Sequence, residues 1–327
     1  MKSNKKRTFL LYALSSILLA SCSSDEDFGP QDNLKDTPIT IASAGVADLA
    51  TSRSIIENKL IGEGATLGLY AENNDDVKYQ ANHELYTYSG SKWGFTTIEE
   101  GDEKQMLFNG TSFNYIIYSP FKIGEQKLCD ATSFNVPTDG NYGTEVTTVS
   151  GCPYDLLWGN GSSTSAVFSP TLYHTLTMLT VYITKLGTEI ESSSMDNAVV
   201  KIGGTIPAGQ LNLTGAKTAA EVVKVDNEVA SAEITALKLA TANKIPDSEK
   251  QSVATFEALI IPQTAALKLT IELSDNRVFT ATLDSREFSS GKHYNITLRV
   301  GRDTVTLDGS ISASRWDSTK GGDLATE

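Results

Sequence analysis

The sequence predicts an all-β protein built from β-sandwiches, and three observations carry this prediction. Apolar residues recur at every second position in many short segments, such as residues 66–70 (TLGLY) and 267–273 (LKLTIEL). This period of two is typical of a half-buried strand, in which successive side chains point to opposite faces. The segments are rich in β-branched and aromatic residues, and clusters of Gly, Asn, Asp and Ser separate them. Helical periodicity is scarce, which favours sandwiches over a parallel α/β sheet.

Each predicted element follows from its own residues. In the first half, residues 39–41 (ITI) alternate, and residues 115–118 (YIIY) form an apolar run that Ser119 and Pro120 end. Residues 217–224 (KTAAEVVK) fit either a helix or a loop. In the second half the predicted strands are longer and more apolar, and they comprise residues 176–183 (LTMLTVYI), 256–261 (FEALII), 267–273, 278–283 (VFTATL) and 294–300 (YNITLRV).

The chain is long enough for two domains. It has 327 residues, and a domain typically has about 150. Hydrophobic residues make up 40% of the chain, which is enough for packed cores. The polar residues 160–165 (NGSSTS) separate two apolar regions. We therefore expect an N-terminal domain over residues 37–164 and a C-terminal domain over residues 165–327.

Charge and cysteine content exclude several classes of protein. The formal net charge is -13 and the pI is about 4.8. Nucleic-acid binding requires clustered Lys and Arg, so an acidic chain argues against it. Three Cys are too few for a disulfide-rich scaffold. Cys129 and Cys152 could pair, but a disulfide needs Cα atoms within about 7 Å, which the sequence does not give.

The N-terminus has the layout of an export signal. Residues 1–7 (MKSNKKR) carry four positive charges, and an apolar run follows over residues 9–20. A basic head, a short apolar stretch and small residues before a cleavage site are typical of a secretory signal peptide. We therefore predict a signal peptide over residues 1–21.

The residue after this signal adds a more specific prediction. Residues 19–22 (LASC) resemble the bacterial lipobox, which implies that Cys22 is lipidated. Residues 22–36 are then predicted to be a flexible acidic tether. Its beginning, residues 23–27 (SSDED), resembles the tag that sends lipoproteins of Bacteroidetes to the outer face of the outer membrane.

The sequence shows no recognisable catalytic pattern, so we predict a protein that is not an enzyme and that uses no cofactor or metal. Its three His lack the His-Glu-x-x-His spacing of zinc proteases, and the Gly-x-Ser-x-Gly turn of hydrolases is missing. Residues 62–68 (GEGATLG) depart by one position from a dinucleotide-binding loop, and a strand rather than a helix follows them. We interpret His174 as a hydrogen-bonded structural residue and Trp316 as a core residue.

Six short motifs, taken in order, resemble the fimbrillin family of Bacteroidales. They are FNYIIYSPF at residues 113–121, DLLW at 155–158, YHTL at 173–176, LIIPQT at 259–264, GKHY at 291–294 and the segment from Ile311 to Trp316. The resemblance covers most of residues 37–320. It implies two tandem transthyretin-like Greek-key β-sandwich domains, in agreement with the period of two.

The resemblance also implies a function, which is that of a structural subunit of a cell-surface fimbria (pilus) that supports adhesion. Such subunits are exported to the outer membrane as lipoproteins, lose an N-terminal strand to a processing protease, and polymerise with other fimbrillin subunits by strand exchange. The best match for the cleavage site is Arg53 within the sequence TSRS, with Lys59 as a second choice. The displaced strand would contain Ile39 and Ile41.

The C-terminal region supplies a candidate donor strand. Val305 and Leu307 alternate with Thr306, and Ile311 continues the apolar face beyond Gly309. Such a stretch can join the open edge of another subunit, with main-chain hydrogen bonds for affinity and alternate side chains for register. It can also fold back as an edge strand of its own domain.

Other functions stay open at the level of sequence. The chain could be a lipid-anchored monomeric surface protein that binds a glycan or a host protein. It could also be a fimbrial anchor or tip component. Arg53 could be an ordinary exposed residue, or it could pair with an acid such as Glu57. An accessible Arg in the first strand region favours the polymerising subunit.

Overall fold

The computed structural model describes residues 35–46, 64–72, 76–98, 104–187, 192–246, 248–309 and 311–316. The predicted all-β class is confirmed, because strands dominate this part of the chain. Among the described residues the helical turns are three short 3-10 segments, at Val77–Tyr79, Ser192–Met195 and Ala219–Glu221. The last of them lies within residues 217–224, where the sequence allowed a helix or a loop, and a strand begins at Val223.

The described residues before position 175 form fourteen strands. They are β1 (Thr37–Pro38), β2 (Thr40–Ile41), β3 (Gly45–Val46), β4 (Thr66–Glu72), β5 (Ala81–Ser89), β6 (Lys92–Thr96), β7 (Leu107–Phe108), β8 (Phe113–Ser119), β9 (Lys122–Ile123), β10 (Gln126–Lys127), β11 (Ser133–Asn135), β12 (Leu157–Ser163), β13 (Val167–Phe168) and β14 (Thr171–His174).

The remaining strands follow in the second half of the described chain. They are β15 (Thr177–Lys185), β16 (Val199–Thr205), β17 (Ala208–Leu211), β18 (Val223–Val225), β19 (Ala232–Thr235), β20 (Leu237–Lys238), β21 (Ala254–Ile260), β22 (Gln263–Ala265), β23 (Lys268–Glu272), β24 (Val278–Thr282), β25 (Arg286–Phe288), β26 (Lys292–Val300), β27 (Val305–Leu307) and β28 (Ser312–Arg315).

The largest sheet has seven strands in the order β3-β14-β12-β8-β4-β5-β6. Side chains alternate between its two faces, so Leu69 and Ile117 belong to one hydrophobic cluster while Tyr118 and Trp158 belong to another. Gly68 leaves room on the second face, because a Cβ there would lie 2.3 Å from the ring of Tyr118. The sheet therefore forms the middle layer between two cores.

A thin layer of two-stranded ribbons closes the first core. β1 pairs antiparallel with β7, and β2 pairs parallel with β13. Residues 37–46, which we call the N-terminal segment, supply one strand of each ribbon. The segment then joins the edge of the seven-stranded sheet, where β3 pairs parallel with β14. The first core thus depends on a short stretch at the start of the described chain.

The second half packs a six-stranded sheet against a four-stranded sheet. The six-stranded sheet has the order β20-β21-β15-β26, and β27 and β28 both pair with the outer edge of β26. The four-stranded sheet has the order β19-β16-β23-β24. β15 runs parallel to β26 over eight residue pairs, from Met178 with His293 to Lys185 with Val300. Side chains from both sheets form the larger of the two hydrophobic clusters.

β15 and β21 are buried on both faces, which explains their nearly continuous apolar sequences. Residues within the range 136–156 also contact the six-stranded sheet. The amide of Leu259 donates to the Tyr142 hydroxyl at 3.2 Å, and the Glu257 carboxylate accepts from the Val149 amide at 3.0 Å. Burial raises the pKa of Glu257. These bonds attach a segment of the first half to the sheet of the second.

The predicted division into domains after residue 164 stays a prediction. Residues 160–162, at the end of β12, are exposed, which agrees with the polar character of residues 160–165. β14 belongs to the seven-stranded sheet of the first half, and β11 pairs with β17 of the second half. Four strand pairs therefore cross position 164, namely β2–β13, β3–β14, β12–β14 and β11–β17.

Candidate functional site

The N-terminal segment inserts alternate side chains into the first core. Ile39 and Ile41 are 0% and 2% exposed, whereas Thr40 between them is exposed. Ala44 further along the segment is also buried. Ile39 and Ile41 are the residues that the sequence predicted for the displaced strand, and their displacement stays a prediction.

Main-chain hydrogen bonds hold the N-terminal segment from two sides. The amide of Ile39 donates to the carbonyl of Met106 at 3.0 Å on one side. On the other side, the amide of Thr40 donates to the carbonyl of Ala166 at 2.8 Å. The segment therefore lies in a groove with the chain at Met106, just before β7, on one side and the chain at Ala166, just before β13, on the other. We call it the N-terminal groove.

Side chains of the first sheet and of the chain before β7 also bind the N-terminal segment. Nε2 of Gln105 donates to the carbonyl of Ile39, and the Tyr86 hydroxyl lies 3.3 Å from the same oxygen. Asp36, just before the segment, accepts a hydrogen bond from the Tyr79 hydroxyl at 2.9 Å. The groove thus offers donors and acceptors to the main chain of a strand as well as apolar pockets to its side chains.

A buried carboxylate lies beside the groove. Glu84 is 7% exposed, and it accepts from the Met106 amide at 2.6 Å and from the Tyr86 hydroxyl at 3.2 Å. Burial raises the pKa of Glu84 to about 7, because the charged form loses its hydration. Sequence reasoning missed this residue, since a Glu in a strand normally points to solvent. A β-bulge, in which His83 with φ 69° is the extra residue, allows both His83 and Glu84 to be buried.

His83 lies in an aromatic cluster of its own. Its ring stacks on Tyr70 with 4.7 Å between centroids and contacts the ring of Phe121 at 4.8 Å. Its Nε2 is hydrogen-bonded to the Tyr118 hydroxyl, which donates to the carbonyl of Leu128 at 2.8 Å. Burial lowers the pKa of His83 to about 4, so the ring is neutral near pH 7 and serves packing.

The C-terminal segment, defined as residues 305–316, folds back on its own sheet. Both of its strands, β27 and β28, pair with β26. Leu307 is 40% exposed, and Val305 and Ile311 are partly buried. Val305 and Leu307 therefore hold the edge-strand position that the sequence left open as an alternative, and Ile311 lies between β27 and β28. Their transfer to a second copy stays a prediction.

Side chains of the C-terminal segment contact the rest of the chain at two positions. Asp308 forms ion pairs with Arg299 at 2.5 Å and with Lys250 at 3.3 Å. The hydrogen bond from Arg299 holds the pKa of Asp308 below its usual value. At the other end, Trp316 is 6% exposed, and its Nε1 donates to the Ser150 hydroxyl oxygen at 3.2 Å.

His174 has the hydrogen-bonded structural setting that the sequence predicted. Its Nδ1 lies 2.8 Å from Oδ1 of Asp155, and the other carboxylate oxygen accepts from the Gly151 amide at 2.7 Å. Trp316 stacks on the imidazole, with 4.1 Å between ring centroids and 2° between the planes. The pair is buried, and one imidazole face is covered by the indole, so the arrangement serves packing.

The described ranges contain no group of three or more His, Cys, Asp or Glu that could hold a metal ion. Cys129 and Cys152 are both free thiols. In the same part of the chain, no helix has the length and apolar character of a membrane span. Cys22 and Arg53, the predicted sites of lipidation and cleavage, lie outside the described residues.

The layered sheets, with a terminal segment at an edge of each half, define a β-sandwich protein. The crystal structure of a candidate cell adhesion protein from Bacteroides ovatus shares this fold, with a TM-score of 0.61 at 14% identity over 86% of this chain and 99% of the other. A candidate cell adhesion protein from Bacteroides uniformis gives 0.58 at 18% identity over 86% and 98%. The sequence profile of the fimbrillin-like family matches residues 52–316, and the chain belongs to that family. Curated protein sequences give no significant match.

Proposed function

We propose that this protein is a structural, non-catalytic subunit of a cell-surface fimbria at the outer membrane. It is exported as a lipoprotein through Cys22, is cut after Arg53 by a processing protease, and polymerises with other fimbrillin subunits by strand exchange. Family membership supports a fimbrial or adhesive role, and its solved relative from Bacteroides ovatus is a candidate cell adhesion protein. The main support for the proposal is that the N-terminal segment packs Ile39 and Ile41 into the first core.

The N-terminal segment is a separable part of that core. Each of its three strand pairings spans two residues. Because β3 is the outermost strand of its sheet, removal of the segment would leave the other six strands continuous. A cut after Arg53 would separate all of residues 37–46 from the rest of the chain.

Removal of the segment would leave a groove that favours a replacement strand. Full burial of an Ile side chain stabilises by about 1.5–3 kcal/mol, so the two pockets of Ile39 and Ile41 correspond to about 3–6 kcal/mol. The carbonyls of Met106 and Ala166 would also lose their amide donors, which is unfavourable where water is excluded. An incoming strand with alternating apolar side chains would restore both kinds of contact.

The C-terminal segment has the matching pattern. Residues 305–307 (VTL) repeat the apolar-Thr-apolar order of residues 39–41 (ITI). In its own subunit Leu307 is 40% exposed, whereas Ile41 in the groove is 2% exposed. Transfer from the edge to the groove would therefore bury more apolar surface, which favours the polymer over the closed monomer.

Limited digestion with an Arg-specific protease tests the proposal. We expect the folded wild-type protein to acquire a new N-terminus at Ser54, determined by N-terminal sequencing, and to form high-mass polymers on size-exclusion chromatography. The Arg53→Ala variant should stay uncut at this position and monomeric. A folded protein that resists cleavage at Arg53, or an Arg53→Ala variant that polymerises normally, would contradict the proposal.

A chain that lacks residues 301–327 is the matched control for the donor strand. It keeps β26 and every strand before it, so it should fold and be cut at Arg53. It should nevertheless stay monomeric, because it has a groove but no strand to donate. Normal polymer formation by this truncated chain would exclude the C-terminal segment as donor.

Export as a lipoprotein has its own test. A lipobox Cys receives several acyl chains, and stable anchoring needs more than one. The Cys22→Ala variant should therefore incorporate no labelled fatty acid and should leave the membrane fraction. Unchanged labelling of the variant would exclude Cys22 as the lipidation site.

A further inference from the structure

Among the described side chains of the C-terminal segment, Trp316 is the most deeply buried large one. It is 6% exposed, in contrast to 40% for Leu307. One face of its indole lies parallel to the imidazole of His174, and its N–H donates to Ser150. Its backbone amide also donates to the carbonyl of Gly291 at 3.4 Å. The end of the segment is therefore held by ring, side-chain and main-chain contacts together.

The imidazole beneath Trp316 is itself held firmly. Its Nδ1 is 2.8 Å from Asp155, and the carbonyl of His174 accepts from the Ser290 hydroxyl at 3.1 Å. Since His174 is the last residue of β14, the stack connects the C-terminal segment to the seven-stranded sheet of the first half. By comparison, β27 and β28 lie at a sheet edge, and the cations that pair with Asp308 are partly exposed, so these ion pairs stabilise only weakly.

We propose that the stack of Trp316 on the His174–Asp155 pair is a latch that keeps the C-terminal segment on its own subunit before assembly. The inference rests on the proposed function, in which residues 305–316 leave their own sheet to complete a second copy of the chain. The indole is the largest described side chain that the segment buries, so we expect its release from the imidazole to control how often the segment opens.

The latch lies on a strand that the N-terminal segment also contacts. In β14, Thr171 pairs with Gly45 and Leu172 pairs with Val46 of β3, close before His174. Removal of the N-terminal segment turns β14 into the outermost strand of its sheet. A strand with one neighbour opens more readily than a strand with two. Cleavage would then free the groove and loosen the donor in the same step, so that uncut subunits keep their own strand.

Hydrogen exchange on the uncut full-length chain tests the latch. The Trp316→Leu variant keeps an apolar side chain but removes the stacked ring and its N–H. We expect the amides of residues 312–315 to exchange at least tenfold faster in this variant than in wild type. Trp93→Leu is the matched control, since Trp93 is also 6% exposed but lies on β6, and it should leave these amides unchanged. Exchange of residues 312–315 within twofold of wild type in Trp316→Leu would overturn the proposal.

A His174→Gln variant gives a second, independent measurement. Its amide can still bond to Asp155 but offers no ring for stacking, so the same acceleration is expected. If both variants lose the native circular dichroism spectrum, the latch is overturned, because the contact then supports the whole sheet and not the C-terminal segment alone. The exchange is measured before any cleavage, so a wild-type protein that fails to polymerise after cleavage counts against the proposed function and not against the latch.

Discussion

At the scale of single residues, Glu84 connects the charge state of the protein to its N-terminal segment. Its carboxylate binds the Tyr86 hydroxyl, which also reaches the carbonyl of Ile39. Burial raises the pKa of Glu84 from its ordinary 4.5 to about 7, so folding favours the protonated form. The stability that this group contributes is therefore complete below about pH 4.5 and is lost as the pH rises through about 7.

Replacement of Glu84 by Gln should remove this part of the pH dependence. Between about pH 4 and about pH 8, the free energy of unfolding of wild type should fall by about 3 kcal/mol relative to Glu84→Gln, since one pKa unit corresponds to about 1.4 kcal/mol. Guanidinium unfolding at the two pH values measures the difference. Glu257→Gln is the comparison, because Glu257 is also buried with a raised pKa but lies in the second half, and this variant should keep the pH dependence that Glu84 contributes. A wild-type to Glu84→Gln difference that is equal at both pH values would contradict the prediction.

At the scale of elements, alternation was a good guide to which segments are strands. Residues 267–273 and 294–300 contain β23 and most of β26. The pairing partners could not be predicted, because the parallel pairs β15–β26 and β2–β13 join residues that are far apart in sequence. Alternation also failed locally at Glu84, since the bulge at His83 shifts the pattern by one residue.

The candidate site was predictable to a similar degree. The inward positions of Ile39 and Ile41 follow from their alternation with Thr40, and the structural role of His174 follows from the lack of a catalytic partner in sequence. The stack of Trp316 on His174 could not be foreseen, because nothing in local sequence indicates which distant ring will cover an imidazole.

Close strand packing in the seven-stranded sheet gives a prediction at the same scale. A Cβ at Gly159 on β12 would lie 2.0 Å from the carbonyl oxygen of Thr171 on β14, and this backbone atom cannot move without separating the strands. Gly159→Ala should therefore lower the free energy of unfolding by about 1–3 kcal/mol in denaturant titrations. Gly94→Ala on β6 is the matched control, because a Cβ there meets no atom within 4 Å, and its effect should stay within about 0.5 kcal/mol. Equal effects of the two substitutions would count against this account.

At the scale of the whole molecule, the two cores share one sheet. Ile117 and Tyr118 are neighbours on β8, yet they belong to different hydrophobic clusters. Residues 136–156 are bound to the sheet of the second half through Glu257 and Tyr142. Loss of either core would expose one face of the shared sheet, so we infer that the described parts of the chain form one cooperative unit.

Calorimetry can check this cooperativity. We expect a single thermal transition with a ratio of calorimetric to van't Hoff enthalpy of about 1, the two-state value. Ile296 is 0% exposed in the larger hydrophobic cluster. Ile296→Ala should lower the free energy of unfolding by about 2–5 kcal/mol and should shift the whole transition. Two resolved transitions, with only one of them shifted by the substitution, would show that the halves unfold independently.

The parallel pairing of β15 with β26 bears on how a filament of such subunits would carry tension. The chain enters β15 at Thr177 from the seven-stranded sheet and leaves β26 at Val300 toward the C-terminal segment. A pull on the two ends of the subunit therefore draws two neighbouring strands in opposite directions along their lengths. Eight residue pairs then share the load and must slide together, whereas a hairpin pulled apart at its open end yields one bond at a time. We expect each subunit to resist stretching through the shear strength of this ladder.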